Sequence, residues 1–238
     1  MQPTNDIESI TPAKPPARQD GGRSWFTPAR LFDLFVDPRA FFARRSNIDF
    51  TPAVAMAVAL GACVEVMDKI EQKASLIQAG IANQGTQALV GWMTDSWAHY
   101  WSCVLGIGLL GTVISWYLQG WWYGLRLRWA GAADAPFPLA RRVAALHQLV
   151  VALPTLAIVL SETARFDDYR TAMADDPVWL TTAMPLFFLV WSCWVSYCAA
   201  TTVFPAARMR GWVWFLVLPL AVYGFGALGT IAYFLHRS

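Results

Sequence analysis

Charged side chains are scarce in this sequence, and their scarcity limits the class of protein it can be. Asp, Glu, Lys and Arg make up 14% of the 238 residues, whereas apolar residues make up 56%. Soluble domains carry about 25% charged residues, so much of this surface is expected to face something other than water. The net charge of +2 gives no basis for binding nucleic acid.

Cysteine and histidine are also too few to build a metal or disulfide framework. Cys63, Cys103, Cys193 and Cys198 all lie in apolar stretches, and no CxxC pair occurs. Such cysteines are expected to act as small apolar side chains buried in helix–helix contacts. His99 and Cys103 share a helix face, but two side chains without further metal ligands make a poor metal site. We expect no metal and no cofactor.

Catalytic motifs are missing as well. The sequence contains no GxSxG, HExxH or P-loop. The pattern GxGxxG occurs twice, at Gly106–Gly111 and Gly224–Gly229, but both copies lie inside apolar runs, where a dinucleotide site is not expected. Asp167 and Asp168 lack the spacing of an aspartate-rich metal site and are interpreted as part of a solvated acidic loop. We therefore expect a protein that is not an enzyme.

Small residues four positions apart predict close helix packing instead. Without side-chain bulk, helix backbones can approach closely, and this packing drives helix association in lipid. The pairs and triplet with this spacing are Gly108/Thr112, Gly111/Ser115, Ala57/Gly61 and Ser192/Ser196/Ala200.

Long apolar runs are the main positive feature of the chain. A helix needs about 20 apolar residues to cross a bilayer, and 13 Trp residues suit the membrane–water boundary. The sequence predicts an all-α integral membrane domain, 28–238, with five transmembrane helices at about 50–67, 99–123, 143–160, 178–204 and 212–235.

The region before the first predicted span divides into two parts. Residues 1–27 are polar and rich in proline; they predict a disordered cytoplasmic tail and contain no apolar core of a cleavable signal peptide. Leu31, Phe32, Phe35 and Val36 then recur at helical spacing before Pro38. This short amphipathic helix is expected to lie at the membrane surface.

The distribution of basic residues predicts the orientation. With five spans, one side holds residues 1–49, loop 124–142 and loop 205–211, which carry 13 Lys and Arg, against five on the other side. Cytoplasmic loops keep the excess of Lys and Arg, so the N-terminus is predicted inside the cell and the C-terminus outside. The basic residues expected to face lipid or a partner are Arg39, Arg44, Arg45, Arg126, Arg128, Arg141 and Arg142.

Two ionisable residues inside predicted spans are functional candidates. Burying a charge in lipid costs several kcal/mol, so Glu65 and His147 are candidates for an ion or proton role, although each lies close enough to an interface for its polar end to reach water. Pro154, Pro185 and Pro219 interrupt three spans and kink them, either as hinges or for packing.

Three segments resemble the Ypt-interacting-protein (YIP) domain family. The first is LFDLFVDPRAFF at residues 31–42, an amphipathic stretch with Pro and paired aromatic residues before the first span. The second is ARRVAALHQLVVALPTL at 140–156, and the third covers 190–204 and 208–235, with a short basic loop and a last span that contains glycine.

This resemblance implies a bacterial-type, non-enzymatic protein of the inner membrane. Eukaryotic members of the family recruit Rab-type GTPases, but the acidic-aromatic tail motif linked to that binding is not found here. The implied function is a membrane scaffold or a partner-binding, trafficking-type protein, with the bilayer and a membrane-protein partner or a second copy as its contacts. The alternative is a transporter or permease subunit that uses the kinked spans and Glu65.

Overall fold

The computed structural model describes residues 28–175 and 183–225, and all of its regular structure is helical. The helices are α1 Pro28–Val36, α2 Pro38–Ala43, α3 Arg45–Asp49, α4 Thr51–Gln78, α5 Gln84–Thr94, α6 Trp97–Trp129, α7 Phe137–Arg165, α8 Tyr169–Asp175, α9 Met184–Val203 and α10 Arg208–Trp212, followed by a π-helix, Val213–Val217. Residues 218–225 continue as α-helix. The tail 1–27 lies outside the described residues.

Three of the described helices are long and apolar enough to cross a membrane. They are Trp97–Trp129, Phe137–Arg165 and Leu186–Val203, which correspond to the second, third and fourth predicted spans. The first predicted span corresponds to the first part of α4, with Phe50 as the residue before the helix. The fifth is helical from its start to residue 225 and then passes outside the described residues. An all-helical chain with apolar helices of spanning length is therefore confirmed.

Local sequence signals explain where several helices begin and end. Asn83 starts α5 by accepting a hydrogen bond from the Thr86 N–H at 2.8 Å, and Ser96 starts α6 in the same way. Helix α6 ends two residues before Gly131, whose φ of +95° suits glycine far better than other residues. The Ala132 N–H then donates a hydrogen bond to the Leu127 carbonyl at 2.9 Å, which caps the end of the helix.

The core lies between α4, α6 and α7, which all contact one another, and it extends to α9, which packs against α7. Gly108 allows a close contact of α6 with α4, because a Cβ there would lie 2.9 Å from Cys63 Cα. Gly61 packs against the side chain of Gln148. Ala57 and Ala200 are fully buried. Close packing is thus confirmed at these small residues, whereas Gly111 faces open space.

The amphipathic segment forms α1, and two further short helices, α2 and α3, follow it before α4. Helix α1 ends before Asp37, which begins α2 by accepting a hydrogen bond from Ala40 N–H at 3.1 Å. Phe41 and Phe42 of α2 are buried, and α2 packs against α9. Trp191 of α9 donates its indole N–H to the Phe35 carbonyl at 3.0 Å. The segment is therefore joined to the bundle, and its position at a membrane surface stays a prediction.

Candidate functional site

Glu65 belongs to a polar cluster shared by α4 and α6. The Ser115 hydroxyl lies 3.4 Å from each carboxylate oxygen of Glu65, and the Gln119 amide donates both to that carboxylate and to Ser115, the latter at 2.7 Å. The predicted intramembrane carboxylate thus has two polar partners from a neighbouring helix. Such a cluster can join two helices in lipid or hold a small cation or proton.

His147 lies at an aromatic contact between α6 and α7. Its ring centroid is 5.9 Å from that of Tyr123, which is almost fully buried and donates its hydroxyl to the Ser196 carbonyl at 3.2 Å. Tyr123 also packs against Phe215, with ring centroids 5.0 Å apart. His147 thus lies against the Tyr123 ring, and the structure does not bring it together with Glu65 in one cluster.

Arg126 lies inside the bundle and not on its surface. Only 8% of the residue is exposed, and its guanidinium carbon lies 4.2 Å from the centre of the Phe215 ring. Its Nε donates a hydrogen bond to the Trp214 carbonyl at 3.0 Å. Arg126, one of the seven predicted basic residues, is thus used in helix packing.

The Trp214 carbonyl accepts this bond because the backbone leaves it free. In the π-helix, the Leu218 N–H bonds to the Val213 carbonyl, five residues back. The same register would pair residue 219 with Trp214, but Pro219 has no N–H to donate. Arg126 supplies the missing donor. The sequence predicts a kink at Pro219, and the structure adds the side chain that compensates for it.

The other predicted basic residues have different surroundings. Arg44 pairs with Asp33 at 2.9 Å, and Arg39 lies 5.9 Å from the ring centre of Trp194. Arg128 is exposed at the end of α6. Exposed ion pairs contribute only about 0–1 kcal/mol, so Arg44 remains available to other anions. The side chain of the remaining residue of this region, at position 45, lies outside the described part.

Arg141 and Arg142 occupy the first turns of α7. The guanidinium of Arg141 lies 4.7 Å from the centre of the Phe137 ring and 5.0 Å from that of Tyr117. Arg142 pairs with Asp49 at 3.0 Å. These two arginines connect α7 with both α6 and the segment that precedes α4.

The two basic loops meet at one end of the bundle. The Ala207 N–H donates to the Ala130 carbonyl at 3.0 Å, and the Gly131 position faces both Ala207 and the guanidinium of Arg210. Loops 124–142 and 205–211 are predicted to lie on one side of the membrane, and here they are in contact. No sequence signal identifies this backbone contact.

The opposite end of the bundle is held by aromatic and polar contacts. Trp97 donates its indole N–H to the Phe166 carbonyl at 2.8 Å, and Arg170 donates to the Gly91 carbonyl at 2.6 Å. Asp168 accepts hydrogen bonds from the backbone and side chain of Thr171, which lower the pKa of its carboxyl. Among residues 28–175 and 183–225, no three His, Cys, Asp or Glu side chains come together as a metal site would require.

Asn47 is a buried polar residue that sequence reasoning missed. It is fully buried in α3 and donates its side-chain amide to the Phe41 carbonyl at 2.9 Å. This bond fixes the turn between α2 and α3 beneath the buried aromatic residues. Comparison of the chain with protein-family models, with curated proteins and with solved structures finds no match.

Proposed function

We propose that this chain is a five-span protein of the cytoplasmic membrane that acts as a non-enzymatic scaffold for a membrane-protein partner or a second copy, in the manner of YIP-domain proteins. The observation that carries the proposal is the exposed apolar surface of α6. Only 22% of its most apolar stretch is buried. Leu110 is 80% exposed and Ile114 is 70% exposed, and such a surface calls for lipid or another helix.

The five-span arrangement adds α4 and the helix after Arg208 to the three apolar helices. The contact between Ala207 and Ala130 fits this topology, because two spans, α7 and α9, separate the basic loops and return the chain to the same side. The positive-inside tendency then places that side, and the N-terminus, in the cytoplasm. A bacterial inner membrane is the expected location.

The packing of the interior favours a scaffold function over a transport pathway through the bundle. Between α4, α6 and α7, the described interior is filled by apolar side chains, including Val54, Tyr123, Val143 and Leu146. On the outer side of α6, a Cβ added at Gly106 or Gly111 would meet no atom of the described residues within 4 Å. Another helix could approach α6 closely there.

Site-specific cross-linking tests the scaffold function. A photo-reactive amino acid at Leu110, on the open face of α6, is expected to capture one partner reproducibly in cells. The same group at Val104, which is fully buried, is the matched control and should capture only residues of this chain. Capture of lipid alone at Leu110, at every growth condition tested, would contradict the proposed partner binding.

A transporter remains the second candidate, and the polar cluster around Glu65 is the observation that favours it. Proteoliposomes containing the wild type would carry protons or a cation-coupled solute, and Glu65→Gln would abolish the flux. Glu71→Gln, outside the predicted span on the same helix, is the control. Absence of flux in the wild type, together with a specific cross-linked partner, would support the scaffold instead.

A further inference from the structure

A surface groove runs between the first half of α4 and the middle of α6. Its volume is about 430 Å³, and most of its wall is apolar. Val54 and Val58 form one side, Val113 and Trp116 form the other, and Arg142 lies at one end. Pockets for small molecules measure about 300–1,000 Å³, so the groove is large enough for part of a ligand of that size.

Two cations are associated with this groove: Arg142 lines it, and Arg141 lies against two of its aromatic residues. The guanidinium of Arg141 is 5.2 Å from the centre of the Trp116 ring and 5.0 Å from that of Tyr117, and both rings line the groove. Within the described ranges, no carboxylate lies at ion-pair distance from Arg141. Arg142 is paired with Asp49, but both side chains are partly exposed. An exposed pair is weak, and a phosphate can replace its carboxylate.

We propose that this groove is a binding site for one anionic phospholipid. An acyl chain would lie along the valines, and the phosphate would contact Arg141 and Arg142, with Trp116 and Tyr117 at the level of the headgroup. The combination of an apolar wall with two cations at one end matches an amphiphile with an anionic head. A purely apolar ligand would leave the cations unused.

This inference rests on the proposed insertion in the membrane and specifies one lipid contact within it. In the proposed orientation, the arginine end faces the cytoplasmic leaflet, where anionic lipids attract basic residues. Attraction to anionic lipid alone would apply to any exposed arginine at this side of the membrane. Binding in the groove is more specific, because it requires both a fitting apolar wall and a cation at the same place.

Native mass spectrometry of the full chain in non-ionic detergent tests the site. The probes are dioleoyl-phosphatidylglycerol and dioleoyl-phosphatidylcholine. Val113→Trp fills the groove, and Ile114→Trp is its control, since the neighbouring side chain has similar exposure but does not line the groove. Arg142→Gln removes one cation, and Arg128→Gln removes an exposed cation elsewhere on the basic end.

The wild type is expected to retain one phosphatidylglycerol in preference to phosphatidylcholine. Arg142→Gln should reduce this retention about fivefold, the change that corresponds to about 1 kcal/mol for one headgroup contact. Val113→Trp should also reduce it, because the acyl chain no longer fits the groove. Ile114→Trp and Arg128→Gln should leave it within about twofold. Millimolar inorganic phosphate should not displace the lipid, because it lacks the acyl chain.

Several results would overturn the site. These are equal retention of the two lipids, an equal loss in Arg128→Gln and Arg142→Gln, or full retention by a folded Val113→Trp. Circular dichroism verifies folding, and a Val113→Phe variant replaces any Trp variant that unfolds. If the protein integrates into bilayers but shows no lipid preference, only the proposed lipid site is contradicted. If it fails to integrate into bilayers, the proposed function is contradicted as well.

Discussion

At the scale of single residues, Gly108 determines how closely α4 and α6 can approach. A Cβ at this position would lie 2.7 Å from Cys63 Sγ and 2.9 Å from Cys63 Cα. Gly108→Ala therefore pushes the two backbones apart, and we expect it to lower the free energy of unfolding by about 1–3 kcal/mol. Thermal unfolding in detergent measures the change.

Gly106→Ala and Gly111→Ala are matched controls for that experiment. Both positions are on the same helix and face open space. Alanine is favoured over glycine within a helix by about 1 kcal/mol, so these variants should be neutral or slightly stabilised. Equal destabilisation by all three substitutions would show that Gly108 makes no special contact.

Arg126 is the second residue whose replacement should have a large effect. Arg126→Gln removes the cation above Phe215 and leaves the Trp214 carbonyl without its donor. Losing a hydrogen bond from a charged group costs about 1.5–3 kcal/mol, measured as a lower midpoint of unfolding in detergent. Arg128→Gln, at an exposed position, should change stability by less than about 0.5 kcal/mol. Similar effects of the two substitutions would contradict the packing role.

At the scale of elements, α8 depends on the ionised carboxyl of Asp168. The hydrogen bonds from Thr171 lower its pKa relative to the unfolded chain. The stabilisation is thus complete above the ordinary Asp pKa of about 3.9 and is lost as the pH falls through the lowered value. Protection of amides 169–175 from hydrogen exchange, corrected for intrinsic rates, should decrease over that interval.

Asp168→Asn is the control for this pH dependence. Its side chain keeps an oxygen acceptor for the Thr171 N–H but does not titrate. Protection of α8 in this variant should be lower than in the wild type above about pH 4 and should not change through the acidic interval. An unchanged acid dependence in Asp168→Asn would assign the effect to another group.

The sequence predicted the existence of the helices better than their lengths. The first predicted span ends at Met67, and helix α4 continues beyond it to Gln78, into a stretch expected to be helical but outside the membrane. Polar residues after Met67 mark where a membrane would end, yet Lys, Glu and Gln are good helix formers, so the helix continues. The actual ending coincides with Gly80, which has a φ of +70°. Hydropathy thus predicts burial in lipid, while capping residues determine where the helix stops.

The site was less predictable than the elements, because its contacts join distant parts of the chain. Arg126 and Trp214 are 88 positions apart, and the charge of Arg126 suggested an exposed basic residue. Pro219 was the one sequence signal of this contact, since a proline within a helix leaves a carbonyl that needs a donor. Glu65 was identified by its charge in an apolar run, but its partners on α6 required the packed structure.

At the scale of the whole molecule, the topology depends on the pairing of the two basic loops. The contact between Ala130 and Ala207 requires that both loops lie on one side of any membrane the bundle crosses. The start of α5 lies beyond the other end of α4, so residue 84 is expected on the opposite side. The four cysteines are all buried and should react slowly with a membrane-impermeant reagent.

Labelling of introduced cysteines by a membrane-impermeant maleimide tests this topology most directly. Ala133→Cys, Ala207→Cys and Gln84→Cys are each made in the full chain and labelled in intact spheroplasts and in inverted vesicles. We predict that Gln84→Cys reacts only in spheroplasts and that Ala133→Cys and Ala207→Cys react only in inverted vesicles. Labelling of Ala133→Cys and Ala207→Cys from opposite sides, or recovery of the chain in solution without detergent, would contradict the five-span account.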